Sequence, residues 1–324
     1  MLYLLFFSAL IFDFINSFHD SSNIVATVIS SRALRPRVAL YLTALAHFIA
    51  PFLFGVAVSE VIGNDLIDPP AVTDVVITAA VLSAITWNLI TWYLGIPSSS
   101  SHALVGGLLG AAILSVGPEV INLDGLFRIL FALFISPPLG IAASFILMHL
   151  MLFIFKSASP KINTYFKRTQ IFTSLSLALS HGTNDAQKTM GLITMGLVSA
   201  GIQDTFEVPL WVIFFSASAI ALGTALGGWR LIRTLGGKIY KIRPVHAFVS
   251  QTASSFVIFG ASIFGGPVST TQVVSSAIMG AGAAERLSKV RWLVAQNMFV
   301  TWGLTIPLTA ILAMGIYIIL IQLS

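Results

Sequence analysis

Apolar stretches of 20 or more residues recur from one end of this chain to the other and leave no room for a soluble domain. Residues 292–321, for instance, hold no Asp, Glu, Lys or Arg. In hydrocarbon no water is available to the backbone, so such a run must form a helix or join a closed barrel. About 20 apolar residues suffice for one helical crossing. A barrel strand would instead alternate apolar and polar residues over about 10 positions. The long Leu, Ile and Ala runs and 24 phenylalanines fit helices. Of 324 residues, 56% are hydrophobic and only 9% charged, against about 25% charged in a soluble domain. The expectation is an all-α polytopic membrane protein. The opening "MLYLLFFSALIF" lacks a basic n-region and a small-residue cleavage site, so it reads as membrane structure and not as a signal peptide. The absence of cysteine excludes disulfides and thiolate metal sites. A net charge of +5 is accounted for by basic loops, and no nucleic-acid partner is inferred.

The charged residues fall in alternating groups. Basic groups are Arg32, Arg35 and Arg37; Lys156, Lys161, Lys167 and Arg168; Arg230, Arg233, Lys238, Lys241 and Arg243; and Arg286, Lys289 and Arg291. Between them lie Glu60, Asp65, Asp68 and Asp74; Glu119 and Asp124; and Asp204 and Glu207. Lys/Arg-rich loops stay cytoplasmic. This gives passes at 1–31, 38–59, 74–94, 97–116, 125–155, 170–200, 208–229, 244–265, 267–284 and 292–321, with both termini outside the cell membrane. Five passes in each half is an odd number, so a duplicated half enters from the opposite side, as in inverted-repeat transporters. The units are then a first repeat 1–155, a cytoplasmic linker 156–169 and a second repeat 170–324. The 31-residue runs 1–31 and 170–200 look broken at their polar clusters. The uncharged "LGIPSSSS" (Leu94–Ser101) looks like the tip of a re-entrant-type hairpin spanning 74–116.

The duplication is visible in residues. "NSFHDSSN" (Asn16–Asn23) aligns with "HGTNDAQK" (His181–Lys188), placing Asp20 on Asp185, His19 on Asn184 and Asn23 on Lys188. "GIPSSSSHALVGGLLG" (Gly95–Gly110) aligns with "GGPVSTTQVVSSAIMG" (Gly265–Gly280), placing Ser99–Ser101 on Ser269–Thr271 and His102 on Gln272. "SPPL" (Ser136–Leu139) meets "TIPL" (Thr305–Leu308). Each half thus supplies one mid-helix aspartate and one hydroxyl run after a proline. Proline breaks a helix, and the freed N–H groups at a helix start attract anions. Ser99, Ser100, Ser101, Ser269, Thr270 and Thr271 add hydroxyl donors there. Asp20 and Asp185, helped by Asn23 and Asn184, offer hard oxygen ligands for a cation such as Na⁺. A carboxylate at mid-membrane costs roughly 2.5–3.5 kcal/mol on insertion scales, which marks it as a functional candidate. Lys188 either attracts the anion or balances Asp185. Anion–cation symport is the reading.

Blander and rival readings stand beside it. Ser and Thr clusters also serve helix packing and back-bonding. Asp13 is equally well an interfacial pairing residue, and His47, His149 and His246 read as structural. Ser99–Ser101, His102 and Asp20 form the parts list of an intramembrane hydrolase, but His102 is replaced by Gln272 in the second half while the hydroxyls persist. His19, Asp20, His181 and Asp185 are an alternative set for Zn²⁺ or Mn²⁺. A channel would need a continuous polar lining, whereas the polar residues concentrate at mid-depth.

"DFINSFHDSSNIVATVI" (Asp13–Ile29) with "SHGTNDAQKTMGLI" (Ser180–Ile193) resembles the paired signature of the inorganic phosphate transporter (PiT) family, and the two Gly–Pro–hydroxyl segments resemble its second pair. The resemblance covers almost the whole chain. It implies a secondary active symporter, not an enzyme, importing inorganic phosphate with Na⁺ or H⁺ and needing no cofactor. The expected phosphate set is Ser99, Ser100, Ser101, Ser269, Thr270, Thr271, Gln272, Lys188 and Asn184. The expected cation set is Asp20, Ser21, Asn23, Asn184 and Asp185. Another oxyanion or a neutral metal–phosphate complex is the alternative cargo, and a homo-oligomer is compatible with the sequence. The tips Ser99–Ser101 and Ser269–Thr271 are expected to meet beside both aspartates in one enclosed cavity.

Overall fold

The structure is a computed structural model that describes residues 1–64, 66–67, 73–228 and 232–323. Asp65 and Asp68 of the first acidic loop and Arg230 of the third basic loop lie outside the described residues, as does the side chain of Lys238. Among the described residues there are eleven α-helices and no strand, only an isolated bridge between Ile67 and Ile121. The helices are α1 (Leu2–Ser30), α2 (Pro36–Leu53), α3 (Ala57–Asn64), α4 (Asp74–Leu94), α5 (Ser100–Ser115), α6 (Leu123–Ile154), α7 (Ile162–Ser199), α8 (Leu210–Leu226), α9 (Pro244–Ile263), α10 (Thr270–Glu285) and α11 (Trp292–Leu323). Five of them (α1, α2, α4, α6 and α11) are individually long and apolar enough to cross a membrane. Their outward faces carry exposed Phe, Leu and Ile side chains, as a lipid-facing surface requires.

The breaks fall elsewhere than at the polar clusters. α1 and α7 run unbroken through "FHDSSN" and "TNDAQK" for 29 and 38 residues. The hydroxyls explain this. Ser21, Ser22 and Thr27 donate back to the carbonyls of Phe18, His19 and Ile24, so polar groups are satisfied without opening the helix. α7 also begins inside the segment read as a linker. The second expected pass, 38–59, is interrupted at Gly55, where φ is +76°, and resumes as the short α3. Gln187 of α7 holds α3 in place. Its side-chain carbonyl accepts from Val58 N at 2.7 Å, and its backbone carbonyl accepts from Ser59 Oγ at 2.7 Å.

The helix lengths repeat. α5 and α10 each have 16 residues, while α6 and α11 each have 32 with internal proline. Sixteen residues rise about 24 Å, less than the ~30 Å of hydrocarbon, so α5 and α10 are half-elements of hairpins. α4 turns into α5 after Gly95 (φ +68°), and α9 turns into α10 after Gly265 (φ +71°). Ser99 Oγ caps α5 by accepting from His102 N at 3.1 Å, and Ser269 Oγ caps α10 by accepting from Gln272 N at 3.3 Å. Packing is exchanged between the halves. α5 lies against α11 and α10 against α6; α1 lies against α8 and α7 against α2. A Cβ on Gly110 would run into the Ala310 backbone, and one on Gly280 into the Ile141 backbone. These small residues let the helices approach closely.

Candidate functional site

α1 and α7 pass each other at the centre, and the chain presents its polar side chains there. Asn16 and Asp20 are one turn apart on α1. His181, Asp185 and Lys188 occupy one face of α7 by the same i, i+3 and i+4 spacing. All are buried. The α10 tip arrives from the side. Thr271 Oγ1 donates to Asp20 Oδ1 at 2.8 Å, and Thr270 Oγ1 donates to Asp185 Oδ2 at 3.2 Å. Asn23 Nδ2 donates to Thr271 Oγ1 at 2.9 Å. Asp20 Oδ1 also meets His19 Nδ1 at 2.8 Å. Asp185 receives Asn16 Nδ2 at 3.5 Å and lies 3.4 Å from His181 Nε2, while Lys188 Nζ donates to its Oδ1 and to Val268 O at 3.3 Å. One ligand atom each from Asp20, His181 and Asp185 lies within 4.8 Å of the others.

The α5 tip joins through backbone and amide. Ser101 Oγ donates to Val268 O at 3.1 Å, and Gln272 Nε2 lies 3.4 Å from His102 Nε2. Asn184 Nδ2 fastens the α9–α10 turn to α7, donating to Ser262 Oγ at 3.0 Å and Gly266 O at 3.2 Å. The two tips therefore meet each other in direct contact, and the hydroxyls that reach the aspartates are those of the α10 tip, Thr270 and Thr271. Several acceptors in this region have no hydrogen-bond partner among the described residues: Asp20 Oδ2, Asn16 Oδ1 and Asn184 Oδ1. Buried carboxylate and amide oxygens of this kind are the ligand type that a hard cation takes. Asp13 of α1, bonded by Thr189 Oγ1 at 2.5 Å, lies buried in the same region.

Not every expected residue converges. Ser21 turns away from Asp20, accepting from Gly228 N at 3.0 Å, and so fastens α1 to the chain after α8. Ser99 and Ser269 are spent as helix caps. Ser100 is buried at the head of α5. The hydrolase parts are not assembled. Ser99 Oγ does lie 2.6 Å from His102 Nδ1, but Asp20, the intended orienter, is bonded to His19 and Thr271. Two residues were missed. Asn16 sits one turn before Asp20 and is the repeat partner of His181, and that spacing was the available signal. His47 of α2 stacks on His181 at 5.0 Å between ring centroids and meets Thr224 Oγ1 at 2.7 Å. Nothing in the local sequence marks it.

At the far end of α10 the chain builds a separate ion cluster. Glu285 accepts from Arg243 and Lys289, and from His246 at 2.8 Å. Burial alone would raise its carboxyl, but the hydrogen bonds from Lys289 and His246 and the charge of Arg243 outweigh it and hold it at about 2.

A family model described as the phosphate transporter family matches residues 16–313. A relative from Bacillus subtilis, named a probable low-affinity inorganic phosphate transporter, is 46% identical over 316 residues, covering 96% of this chain and 95% of the relative. One of the same name from Rhizobium meliloti is 43% identical over 307 residues, covering 94% and 92%. A solved structure described as the sodium-dependent phosphate transporter superposes with a TM-score of 0.92 over 100% of this chain and 99% of the other, at 24% identity. At that identity the likeness bears on the fold.

Proposed function

Because the chain belongs to the phosphate transporter family, we propose that it is a secondary active symporter that imports inorganic phosphate together with Na⁺ or H⁺. Its relatives are named as transporters and not enzymes. One observation carries the reading. Adjacent hydroxyls of one helix tip, Thr270 and Thr271, bond the two aspartates of the two halves, so the position of the tip and the state of both carboxylates are linked. The formal charge gives coupling its physical reason. Asp185 is paired with Lys188, so phosphate is repelled while the Asp20 carboxylate lacks a cation and is admitted when one neutralises it. Phosphate then lies against the starts of α5 and α10 and the hydroxyls of Ser100, Ser101, Thr270 and Thr271, with Gln272, Asn184 and Lys188 alongside. Na⁺ is supported by the name of the solved structural relative.

The two halves act as inverted repeats, 1–155 and 170–324, placing both termini outside the cell membrane. Matched helix lengths and the reciprocal packing of α5 on α11 and α10 on α6 support this. Alternating access is then an exchange of roles between two similar halves around the Asp20–Asp185 site. A second reading, a neutral metal–phosphate complex as cargo, is favoured by the closeness of Asp20, His181 and Asp185.

The test is ³²P uptake into proteoliposomes with Na⁺ and proton gradients imposed separately. Accumulation above equilibrium under one gradient, and none without it, is the expected result. Phosphate that merely equilibrates, indifferent to both gradients, refutes symport. Uptake that stops on chelation and resumes with ⁵⁴Mn²⁺ entering one-to-one selects the metal–phosphate reading.

A further inference from the structure

The two half-sites are not equivalent, and the difference is a charge. Asp20 and Asp185 are repeat partners, and the residue three positions later, on the same helix face, is Asn23 in one half and Lys188 in the other. Asn23 is neutral and bonds Thr271. Lys188 is 1% exposed, and its ammonium takes two oxygens, a carboxylate of Asp185 and the backbone carbonyl of Val268 in the α9–α10 turn. A carboxylate and a loosened backbone carbonyl beside a broken helix are the ligands that a transporter offers Na⁺. Here they already hold a positive charge that is covalently part of the chain.

We propose that Lys188 is a built-in cation: its ammonium fills the cation place beside Asp185, so that half of the site takes no free Na⁺, and the Asp20 half alone takes the coupling ion. This rests on the symport reading above. A Na⁺ brought within ~4 Å of the ammonium would be repelled strongly enough to lower its affinity on the order of 10³-fold. At the matching place beside Asp20 the chain puts no charge. Asp20 Oδ1 is bonded by Thr271 and His19, its Oδ2 has no hydrogen-bond partner among the described residues, and Asn23 brings an amide and no charge. A lysine that serves only the fold would pair with Asp185 equally well, and the two roles separate in the number of sodium ions bound.

The experiment counts ²²Na⁺ bound per protein in detergent for the unmodified chain, Lys188→Asn and Asp185→Asn, with ³²P uptake in proteoliposomes measured beside it. Lys188→Asn copies the first half into the second and should bind one more Na⁺ than the unmodified chain, with a steeper Na⁺ dependence of uptake. Asp185→Asn, made with Lys188 in place, leaves the ammonium uncompensated and should bind no more Na⁺ than the unmodified chain. Equal counts in Lys188→Asn and the unmodified chain overturn the proposal. If Lys188→Asn does not fold, equal counts in Lys188→Gln and the unmodified chain overturn it. Lys188→Gln, which also removes the charge and offers an amide oxygen, supplies the same comparison. A chain that takes up no phosphate refutes the transport function instead, and the binding counts still decide the role of Lys188.

Discussion

Replacing Thr271 by valine keeps the shape of the α10 tip and removes one hydroxyl. That hydroxyl donates to Asp20 at 2.8 Å and accepts from Asn23 at 2.9 Å. A hydrogen bond to a charged group is worth about 1.5–3 kcal/mol and a neutral one about 0.5–1.5 kcal/mol. The closed arrangement of tip and aspartate should therefore weaken by about 2–4 kcal/mol, which raises the half-saturating concentration of the coupling ion by about 30- to 10³-fold. Thr270→Val is the internal comparison. It loses one bond of 3.2 Å to Asp185, whose charge stays paired with Lys188 and Asn16. Its cost should be about 1 kcal/mol, a change of about fivefold. Thr271→Ser keeps the hydroxyl and should stay within about threefold of the unmodified chain. The assay is ³²P uptake in proteoliposomes at graded cation and phosphate concentrations, with thermal stability in detergent as the folding control. Equal shifts for Thr270→Val and Thr271→Val, or no shift in Thr271→Val, would refute the idea that the Thr271–Asp20 contact couples the tip to the ion.

Asp20→Asn should abolish cation-driven uptake while leaving a monodisperse, folded protein in size-exclusion chromatography; retained uptake with normal cation dependence removes Asp20 from the site. Gly110→Ala and Gly280→Ala each push a methyl into a facing backbone, and each should cost about 1–3 kcal/mol of stability, read as a lower melting temperature in detergent. Glu285 is held near 2, below its ordinary 4.5. Its stabilisation is therefore complete above about pH 4.5 and fades as pH falls toward 2. Glu285 is a quarter exposed, at 25%, so Glu285→Gln should cost only about 0.5–1 kcal/mol at neutral pH, and melting curves of the two proteins should converge in acid.

Much of this architecture is legible in the order of charges and in the duplicated segments. The charge alternation locates the long helices, because a Lys or Arg inside hydrocarbon is costly and the loops collect them. Gly95–Gly110 and Gly265–Gly280 announce α5 and α10, because proline followed by hydroxyl residues ends one helix and caps the next. The continuity of α1 and α7 is not legible. Asn, Asp, His and Ser in the middle of a run look like a break until the tertiary partners are known. Those partners are Thr270, Thr271, Ser262 and the Val268 carbonyl, all far along the chain. The interruption at Gly55 is equally hidden, since the residues on both sides are apolar and the anchor of α3, Gln187, belongs to another helix. His47 enters the site region by packing alone.

The reciprocal grip of long and short helices also bears on how the protein is made. α5 emerges early, with Gly106 and Gly110 on the face that Ile306, Thr309 and Ala310 of α11 later cover. α11 is the last helix of the sequence. At roughly 5–20 residues per second, the ribosome needs on the order of 10–40 s to deliver it after α5 is complete. Throughout that interval lipid or the insertion machinery must line the glycine face. A late nonsense mutation therefore does more than trim the end of the molecule, because it leaves a hairpin in the first half without its clamp.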